Sequence, residues 1–207
     1  MKWKNIKIAR KLISVFLLVG LFAVAALGIL SYSQSKNALV EKSFDQLQAI
    51  REIKKNQIES FFQERKGDLS VYAYNTAVQM AARRFISAFD TAGMQSDVYR
   101  KWVNAHGPKF KLYIEEYNYY DLFIISNDGD VAYTVAEEAD LGQNLKTGRL
   151  AQSPLGEAFQ KGKNKLSIID FAWYDISNEP ACFVAGPIKA DDGSQIGVLA
   201  YQISLKA

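Results

Sequence analysis

Three carboxylates in the C-terminal part of the chain, Asp170, Asp175 and Glu179, are the side chains best placed for acid–base chemistry. Paired carboxylates can hydrolyse a bond when both face it across a fixed gap. Asp170 and Asp175 are five residues apart, and an odd separation puts two side chains on opposite faces of a regular strand. Glu179 precedes Pro180 in a turn, and no nucleophile and base with an orienting third group accompany the three. The pattern predicts a protein that is not an enzyme.

One histidine, His106, and one cysteine, Cys182, occur in the 207 residues. A zinc site, a catalytic triad or a proton relay would have to be built around His106, and a histidine in a polar helical stretch is typically a surface residue. A single cysteine forms neither a disulfide within one chain nor a thiolate cluster. The sequence also contains no glycine-rich phosphate loop and no dinucleotide fingerprint. We therefore expect no cofactor and no metal.

The elements that would position these side chains begin with a β-hairpin. Asp128-Gly129 separates two runs rich in aromatic and β-branched residues, and this dipeptide favours a tight turn because glycine accepts positive φ without steric cost. The continuous apolar run 122–125 predicts a strand that is covered on both faces. In residues 131–135 large apolar and smaller side chains alternate, which is typical of a strand with one face packed on a core.

Further elements are predicted after the hairpin. Ser153 and Pro154 are typical of a helix start, as the cap and the first helical residue. Apolar runs at 165–175, 181–190 and 195–205 follow, separated by turn residues. Two strands, a short helical crossover and three strands in a meander predict an α+β fold with a five-stranded antiparallel sheet.

The N-terminal part of the chain predicts a membrane anchor. Residues 1–11 hold five basic residues and no acidic one, and residues 12–30 hold no charge. At about 1.5 Å per residue, such a helix comes close to spanning the ~30 Å hydrocarbon core of a bilayer. We expect a cytoplasmic basic tail at 1–11, a transmembrane helix at 12–32 and the remainder outside the cytoplasmic membrane. A cleaved signal peptide is the alternative, because small residues occur at 23–28.

A long stalk helix is predicted after the membrane span. Apolar residues recur mostly at steps of three or four, at Val40, Phe44, Leu47, Ile53 and Ile58, with charged residues between them. Such a stripe has to be buried, either against the distal part of the same chain or against the same helix of a second copy. The sequence leaves both alternatives open.

Two further helices are predicted between the stalk and the hairpin. Gly67-Asp68 predicts the end of the stalk helix and the start of a second helix that runs to about residue 89. Residues 94–117 form a third, polar helical stretch that we expect to break near Gly107-Pro108. The net charge is only +3, and much of the basic excess lies near the N-terminus, so we expect no nucleic-acid-binding face.

A family resemblance is carried by residues 120–125, 128–135, 186–188 and 196–200. These runs resemble the Cache version of the PAS fold, the extracytoplasmic sensor module of bacterial chemoreceptors. The whole chain, with its basic tail, membrane helix, stalk and sheet, resembles the N-terminal part of a methyl-accepting chemotaxis protein with a double-Cache sensor.

The resemblance implies a domain organisation and a function. It implies a stalk and helical segment at 33–112 and a membrane-distal PAS-like Cache module at 113–207. The implied function is binding of a small solute outside the cytoplasmic membrane to control chemotaxis, as a homodimer through the stalk helix. The same module is joined to histidine kinases and cyclic-dinucleotide enzymes, so either output is an alternative. A membrane-anchored structural dimerisation protein is another. Because the family's output segments would follow residue 207, we expect the chain to be the input part of a longer receptor.

The resemblance also implies a ligand site on the sheet face opposite the long helix. Its candidate residues are Tyr133, Trp173, Asp175, Phe183, Tyr201 and Gln202. In amino-acid-binding Cache domains a tyrosine stands at the position of Trp173 and an ammonium-binding aspartate at that of Asp175. A second aspartate stands at the position of Gln202. The alternative is that Trp173 and Tyr133 are core aromatics.

One part of the family's site is missing from this sequence. The Arg-x-Trp-Tyr motif that clamps a ligand carboxylate does not occur in residues 135–165, where Arg149 is the only arginine. Loss of this clamp and of one aspartate predicts a ligand other than an ordinary α-amino acid. A smaller or less charged solute, or no direct ligand, is expected instead.

Overall fold

The structure is a computed structural model that describes residues 7–205. Within that range it contains helices α1 Ile8–Ala73, α2 Thr76–Ala92, α3 Asp97–Tyr117 and α4 Pro154–Gly162, and strands β1 Asp121–Ser126, β2 Val131–Thr134, β3 Ser167–Tyr174, β4 Glu179–Lys189 and β5 Gln195–Ser204. The predicted α+β fold, with helices ahead of an antiparallel sheet and a short helix between its second and third strands, is confirmed. The predicted basic tail lies outside the described residues over positions 1–6.

The chain divides into two compact units, Met1–Glu59 and Ser60–Ala207. Over its described residues the first unit is the N-terminal part of α1, which is long and apolar enough to cross a membrane by length and composition. Its apolar side chains are exposed all around the helix, as a lipid-embedded segment requires. One helix of this kind fits the predicted single membrane span. The functional division at residues 32 and 112 stays a prediction.

The stalk helix does not end where the sequence predicted. α1 continues through Gly67-Asp68 to Ala73, because Asp68 pairs with Arg65 one turn earlier at 3.3 Å and so supports the helix rather than capping a new one. The cap of α2 is Asn75, whose Oδ1 accepts a hydrogen bond from the backbone N–H of Ala77 at 2.9 Å.

The third helix lacks the break that the sequence predicted near Gly107-Pro108. α3 runs unbroken through Pro108, although proline supplies no N–H to the preceding turn. Phe110 and Ile114, both beyond the proline, are buried in the core, and their packing holds the helix together across the lost hydrogen bond. Asn118, in the left-handed conformation with φ 55°, ends it.

The strands form one sheet in the order β2-β1-β5-β4-β3, with every neighbouring pair antiparallel. The predicted Asp-Gly turn joins β1 to β2, and Gly129 takes the expected positive φ of 95°. The β1–β2 register shifts between Ile124 and Ile125, and the β3–β4 register between Ile169 and Ala172. At each shift one extra residue enters a strand and reverses its alternation beyond that point.

A separate hydrophobic core covers each face of the sheet. We call the first the helix-side core, which packs the sheet against α2, α3 and the end of α1 and includes Leu69, Phe85, Phe110, Leu122, Tyr133 and Tyr201. We call the second the loop-side core, which packs the sheet against α4 and the segment before it and includes Phe123, Leu145, Phe159, Tyr174, Phe183 and Val198.

Candidate functional site

A buried carboxylate stands at the first residue of β1. Asp121 faces the loop side, because Phe123 two residues later lies in the loop-side core. Its Oδ1 accepts hydrogen bonds from the backbone N–H groups of Leu122, Val135 and Ala136 at 2.7, 2.9 and 3.0 Å. Its Oδ2 accepts one from the hydroxyl of Thr134. The segment after β2 thus wraps around this carboxylate and ties it to the sheet.

The surroundings of Asp121 disfavour its charge. Burial, with a smaller contribution from the charge of Asp140, raises the pKa of Asp121 to about 7, although the hydrogen bonds from Thr134 and the backbone lower it. A carboxylate that accepts four hydrogen bonds and still titrates near neutrality lies in a medium of low polarity, close to other negative charge.

Gln202 lies directly across from Asp121 in the β1–β5 register. Its side chain is fully buried, and its Nε2 donates a hydrogen bond to Ser177 Oγ at 2.9 Å. Among the described residues no donor reaches its Oε1. A buried amide oxygen without a partner costs about 1–3 kcal/mol relative to a satisfied one, so this position is not optimised for stability.

A second buried carboxylate, Asp140, approaches from the segment between β2 and α4. The hydroxyl of Tyr174, on β3, donates a hydrogen bond to its Oδ2 at 2.9 Å. Its Oδ1 meets no donor from the described residues. Burial raises the pKa of Asp140, and the charge of Glu138 adds to this, while the Tyr174 hydroxyl acts in the opposite direction.

The outer part of this arrangement involves Glu138 and Tyr120. The Tyr120 hydroxyl donates to Glu138 Oε1 at 2.8 Å, whereas Oε2 is buried and meets no donor within the described part of the chain. Burial raises the pKa of Tyr174, and the charges of Asp140, Asp121 and Glu138 add to the effect. We call Asp121, Thr134, Glu138, Asp140, Tyr174 and Gln202 the loop-side polar cluster.

A cavity of about 410 Å³ lies at the end of the sheet next to this cluster. Its walls are Ile114, Glu115, Asn118, Tyr119, Tyr120, Ser177, Glu179 and Ser204. Tyr120 and Ser177 each bond a member of the cluster, and Glu179 pairs with Tyr174 in the β3–β4 register. Two hydrogen bonds and one strand pair therefore connect the wall of the cavity with the cluster.

The loop-side polar cluster offers acceptors rather than donors. Its unused atoms are the oxygens Asp140 Oδ1, Glu138 Oε2 and Gln202 Oε1. No ion pair between described residues includes Asp121, Glu138 or Asp140. The arrangement can bind a hydrogen-bond donor and disfavours an anion. Within residues 7–205 no group of three or more His, Cys, Asp or Glu residues could hold a metal ion.

The structure brings together two of the six site residues suggested by the resemblance. Gln202 belongs to the loop-side polar cluster, and Phe183 lies beside it with its ring 5.1 Å from that of Tyr174. Tyr133 and Tyr201 lie in the helix-side core instead. The ring of Tyr133 stacks on that of Phe85 at 4.2 Å, and the ring of Tyr201 is tilted against that of Tyr119 at 4.4 Å. Trp173, 57% exposed, and Asp175 lie at the surface. A ligand-binding role for these residues stays a prediction.

The two register shifts explain these placements. A regular β3 would turn Trp173 to the same face as Ile169, but the extra residue between Ile169 and Ala172 turns Tyr174 inward in its place. In β2 the extra residue puts Val131 in the loop-side core and Tyr133 in the helix-side core. Alternation alone predicts the wrong face beyond each shift.

Sequence reasoning missed most of the loop-side polar cluster. Asp121 carries the clearest signal, because a carboxylate directly before the fully apolar run 122–125 is a charge at the head of a buried strand. Asp140 and Glu138 belong to an acidic segment that resembles an ordinary solvated loop in sequence. Only the fold shows that Asp140 is buried.

Several solved structures of sensor domains are similar to part of this chain. No protein-family model and no curated protein matches the chain. Similar solved structures include the sensor domain of the V. cholerae histidine kinase DctB, with 16% identity and a TM-score of 0.47, over 77% of this chain and 58% of that one. The ligand-binding domain of the Campylobacter jejuni chemoreceptor Tlp3 in complex with 4-methylisoleucine has 19% identity and a TM-score of 0.40, over 70% and 59% of the two chains. The E. coli DcuS sensor domain has 14% identity and a TM-score of 0.44, over 67% and 84%.

These neighbours are ligand-binding sensor domains of chemoreceptors and histidine kinases, not catalytic domains. The chain spans a little under three fifths of the DctB and Tlp3 domains that it matches. At this level of similarity, a function for this chain has to come from the geometry of its own side chains.

Proposed function

We propose that this chain is the input region of a bacterial membrane-anchored receptor and binds a small solute at the loop-side polar cluster. The observation that carries the proposal is the fully buried Gln202 with an unused Oε1 beside the buried carboxylates of Asp121 and Asp140. Buried polar atoms in a folded domain are ordinarily paired, so unused acceptors on the loop side of the sheet favour a binding site there. The adjoining cavity of about 410 Å³ is in the range of small-molecule sites.

The same proposal assigns the chain to the cytoplasmic membrane, with residues 33–207 on the outer side. The support is the apolar N-terminal part of α1 together with the basic residues that precede it. This arrangement would expose the sensor module 113–207 to solutes that do not enter the cell.

The experiment that tests ligand binding is a thermal-shift screen of the full chain in lipid nanodiscs. Amino acids, carboxylates, amines and purines are added singly, and the melting temperature of the sensor module is followed by intrinsic fluorescence. A solute present at about 100 times its dissociation constant stabilises the folded state by about 2.7 kcal/mol. For a domain of this size that corresponds to roughly 5–10 °C. If no solute raises the melting temperature, the chain is better described as a structural anchor.

We further propose that the receptor is a homodimer through the stalk helix. At about 100° per residue, Val40, Phe44, Leu47 and Ile58 fall within roughly 60° of one another around the helix. All four are exposed, so a second copy of the same helix could cover this stripe. Ile53 falls outside the stripe.

Cysteine cross-linking in membranes tests the dimer. Phe44→Cys and Leu47→Cys should form disulfide-linked dimers on mild oxidation, because side chains at a helix seam approach each other closely. Lys42→Cys, on the opposite face, is the matched control. The native Cys182 is buried and should not react. Equal cross-linking at positions 44 and 42 would remove support for the seam.

Control of chemotaxis is the output that we propose, and regulation of a histidine kinase is the alternative. The two outputs differ in what the cell does with the solute found in the thermal-shift screen. Deleting the gene should abolish movement toward or away from that solute in a gradient assay if the output is chemotaxis. Unchanged movement together with altered transcription would favour a kinase.

A further inference from the structure

We propose that a second cavity, at the β2 edge of the sheet, binds an ω-amino acid, a solute with an ammonium group at one end and a carboxylate at the other. Glu137 receives the ammonium group, and Arg100 receives the carboxylate. This cavity is separate from the loop-side polar cluster, so the inference goes beyond the function proposed above.

The cavity has a volume of about 290 Å³ and lies between α3 and the segment that follows β2. This volume is close to the lower end of the range for small-molecule sites, about 300–1,000 Å³. The α3 wall includes Arg100, Val103 and Asn104, and the wall formed by the segment includes Glu137 and Leu141. The positive and the negative side chain therefore belong to different walls.

Both walls are anchored on β2. The hydroxyl of Tyr99, on α3, donates a hydrogen bond to the carbonyl of Ala132 at 2.9 Å. The backbone N–H of Gly142, at the end of the segment, donates one to the carbonyl of Val131 at 2.9 Å. A site whose walls are fixed before binding loses less conformational freedom when a solute enters, so these two bonds favour binding.

The apolar residues of the lining are more deeply placed than the charged ones. Met94, Val103 and Leu141 are half-buried, whereas Arg100 and Glu137 are exposed. Met94 also packs closely on the backbone of the segment, because a Cβ at residue 142, a glycine, would lie 2.7 Å from Met94 Cε. An apolar surface between two charged walls fits the methylene chain of an ω-amino acid.

Arg100 and Glu137 line the same cavity but do not pair with each other. No ion pair between described residues includes either side chain. One guanidinium N–H of Arg100 donates to the carbonyl of Gln95 at 2.6 Å, and arginine has five N–H donors, so others remain for a ligand. Each of the two charges can therefore take a ligand group of opposite charge.

The backbone at residue 137 does not account for a glutamate there. Glu137 has a φ of 53°, in the left-handed region that favours glycine or asparagine. Residues with a Cβ that are held in this region are concentrated at functional sites. The charge of Glu137 also acts on a neighbouring wall residue, since burial raises the pKa of Tyr99 to about 12 and this charge adds to the effect.

The placement of the two charges on different walls favours a solute whose own charges are far apart. In an α-amino acid the ammonium and carboxylate groups share one carbon. When its carboxylate meets Arg100, its ammonium group is held near the same guanidinium, and like charges repel. In an ω-amino acid a methylene chain separates the two groups, so each can meet its own wall.

Two pairs of isomers test the separation of charges by titration calorimetry of the full chain in nanodiscs. β-Alanine and δ-aminovalerate are ω-amino acids, and L-alanine and L-norvaline have the same compositions with both charges on one carbon. At least one ω-amino acid should bind at this cavity, at least tenfold more tightly than its isomer. The comparison uses the binding that is lost in Glu137→Gln. If neither ω-amino acid binds, or if the isomers bind there equally well, the proposal is wrong.

Two probes with a single charge test whether both ends of the solute are used. Valerate lacks the ammonium group of δ-aminovalerate, and n-pentylammonium replaces its carboxylate with a methyl group. Each should bind at least tenfold more weakly than the better ω-amino acid, and sodium chloride at equal ionic strength is the salt control. Equal binding of either probe would overturn the assignment of two charged contacts.

Two variants test whether this cavity is the site. Arg100→Gln and Glu137→Gln should each weaken binding of the ω-amino acid at least tenfold. Lys101→Gln and Glu116→Gln, which replace exposed charges on α3 that do not line the cavity, are the matched controls and should bind as the parent does. Circular dichroism establishes that each variant is folded. If Glu137→Gln does not fold, Glu137→Gly takes its place, because glycine suits the positive φ. Binding that survives the loss of both charges would overturn the site.

The same variants separate this inference from the function proposed above. A solute at the loop-side polar cluster should lose its effect in Gln202→Met and keep it in Arg100→Gln, whereas an ω-amino acid at this cavity should do the reverse. An ω-amino acid whose binding is lost in Gln202→Met and kept in Arg100→Gln would overturn this inference and support the loop-side site.

Discussion

The two faces of the sheet are built from similar strands and differ in how they treat buried polar atoms. On the helix side no member of the core has a buried side-chain nitrogen or oxygen without a partner among the described residues. The hydroxyl of Tyr99 donates to the carbonyl of Ala132 at 2.9 Å, and that of Tyr201 donates to Tyr113 at 3.3 Å. On the loop side Asp140 and Gln202 each keep an unused oxygen. The helix-side core therefore needs no solute to satisfy its buried polar side chains.

Under the proposed function, this difference separates a structural face of the sheet from a binding face. A satisfied core gains nothing from a solute, because each of its polar atoms already has a bond of equal quality. A face with open acceptors and buried charge is held in a less stable arrangement than its sequence could achieve. Such an arrangement persists where a ligand supplies the missing contacts. Substitutions should therefore act differently on the two faces.

The largest expected effect comes from truncation of the helix-side core. Phe85 is fully buried and its ring stacks on that of Tyr133 at 4.2 Å. Phe85→Ala should destabilise the unit Ser60–Ala207 by roughly 3–5 kcal/mol, since it removes buried area and leaves a cavity. Thermal melts of the full chain in nanodiscs measure the effect. Met80→Ala, on the same helix but 52% exposed, is the control, and an equal loss in both variants would contradict the assigned core.

A smaller effect separates two neighbouring aromatics of β3. Tyr174→Phe removes the only hydrogen bond that a described side chain gives to Asp140, and should destabilise by roughly 1–3 kcal/mol. Trp173→Phe, at an exposed position, should change stability by less than about 0.5 kcal/mol. Chemical denaturation of both variants checks the pair. The reverse order would mean that Trp173 and not Tyr174 faces the loop side.

This pair also shows where prediction from the sequence ends. The five strands, the Asp-Gly turn and the helix start at Ser153-Pro154 were predicted correctly, because hydrophobic periodicity and turn residues are local signals. The face of the sheet on which Trp173 lies was predicted wrongly, because the extra residue in β3 can be recognised only from the pairing of β3 with β4. Long-range pairing decides which side chains enter a site.

The helix boundaries show that a strong local signal can also be overridden by the fold. Gly67 and Pro108 are strong local signals for a helix end, yet both lie within continuous helices. Tertiary packing overrides such preferences when residues on both sides of the breaker are held in a core. For Pro108 the holding residues are Tyr99 before it and Phe110 and Ile114 after it, which no local pattern singles out.

The pH dependence of stability sharpens the comparison, because Asp121 has no counterpart on the helix side. Its pKa lies near its ordinary value of 3.8 in the unfolded chain and at about 7 in the fold. Between these values the folded state holds a proton that the unfolded state has lost, so stability falls as the pH rises across the window. Melting temperatures of the full chain at about pH 4 to 7 should therefore fall more steeply than those of Asp121→Asn.

Other groups titrate in the same range, so the comparison is made as a difference between the two proteins. The pKa of Asp140 is also raised, and its contribution has the same sign in both. The pKa of His106 is lowered by burial and by the charges of Lys109 and Arg84, which gives the opposite sign and likewise cancels in the difference. Parallel curves for the parent and Asp121→Asn would show that Asp121 does not hold its proton in the fold.

The smallest expected change in stability is that of Gln202→Met. Whether the variant is more or less stable than the parent shows whether Gln202 supports the fold or the binding of a solute. Methionine keeps most of the volume of glutamine and removes the buried Oε1 that no described donor reaches. The variant loses the bond to Ser177, which remains partly exposed and can bond water. These effects nearly cancel, so the ligand-free melting temperature should stay the same or rise by an amount equivalent to about 1 kcal/mol at most.

Any solute-induced shift should be lost in the same variant. A residue whose removal leaves the fold intact and abolishes binding is maintained for the ligand. If Gln202→Met instead lowers stability as Phe85→Ala does and still binds the solute, the loop side is as structural as the helix side.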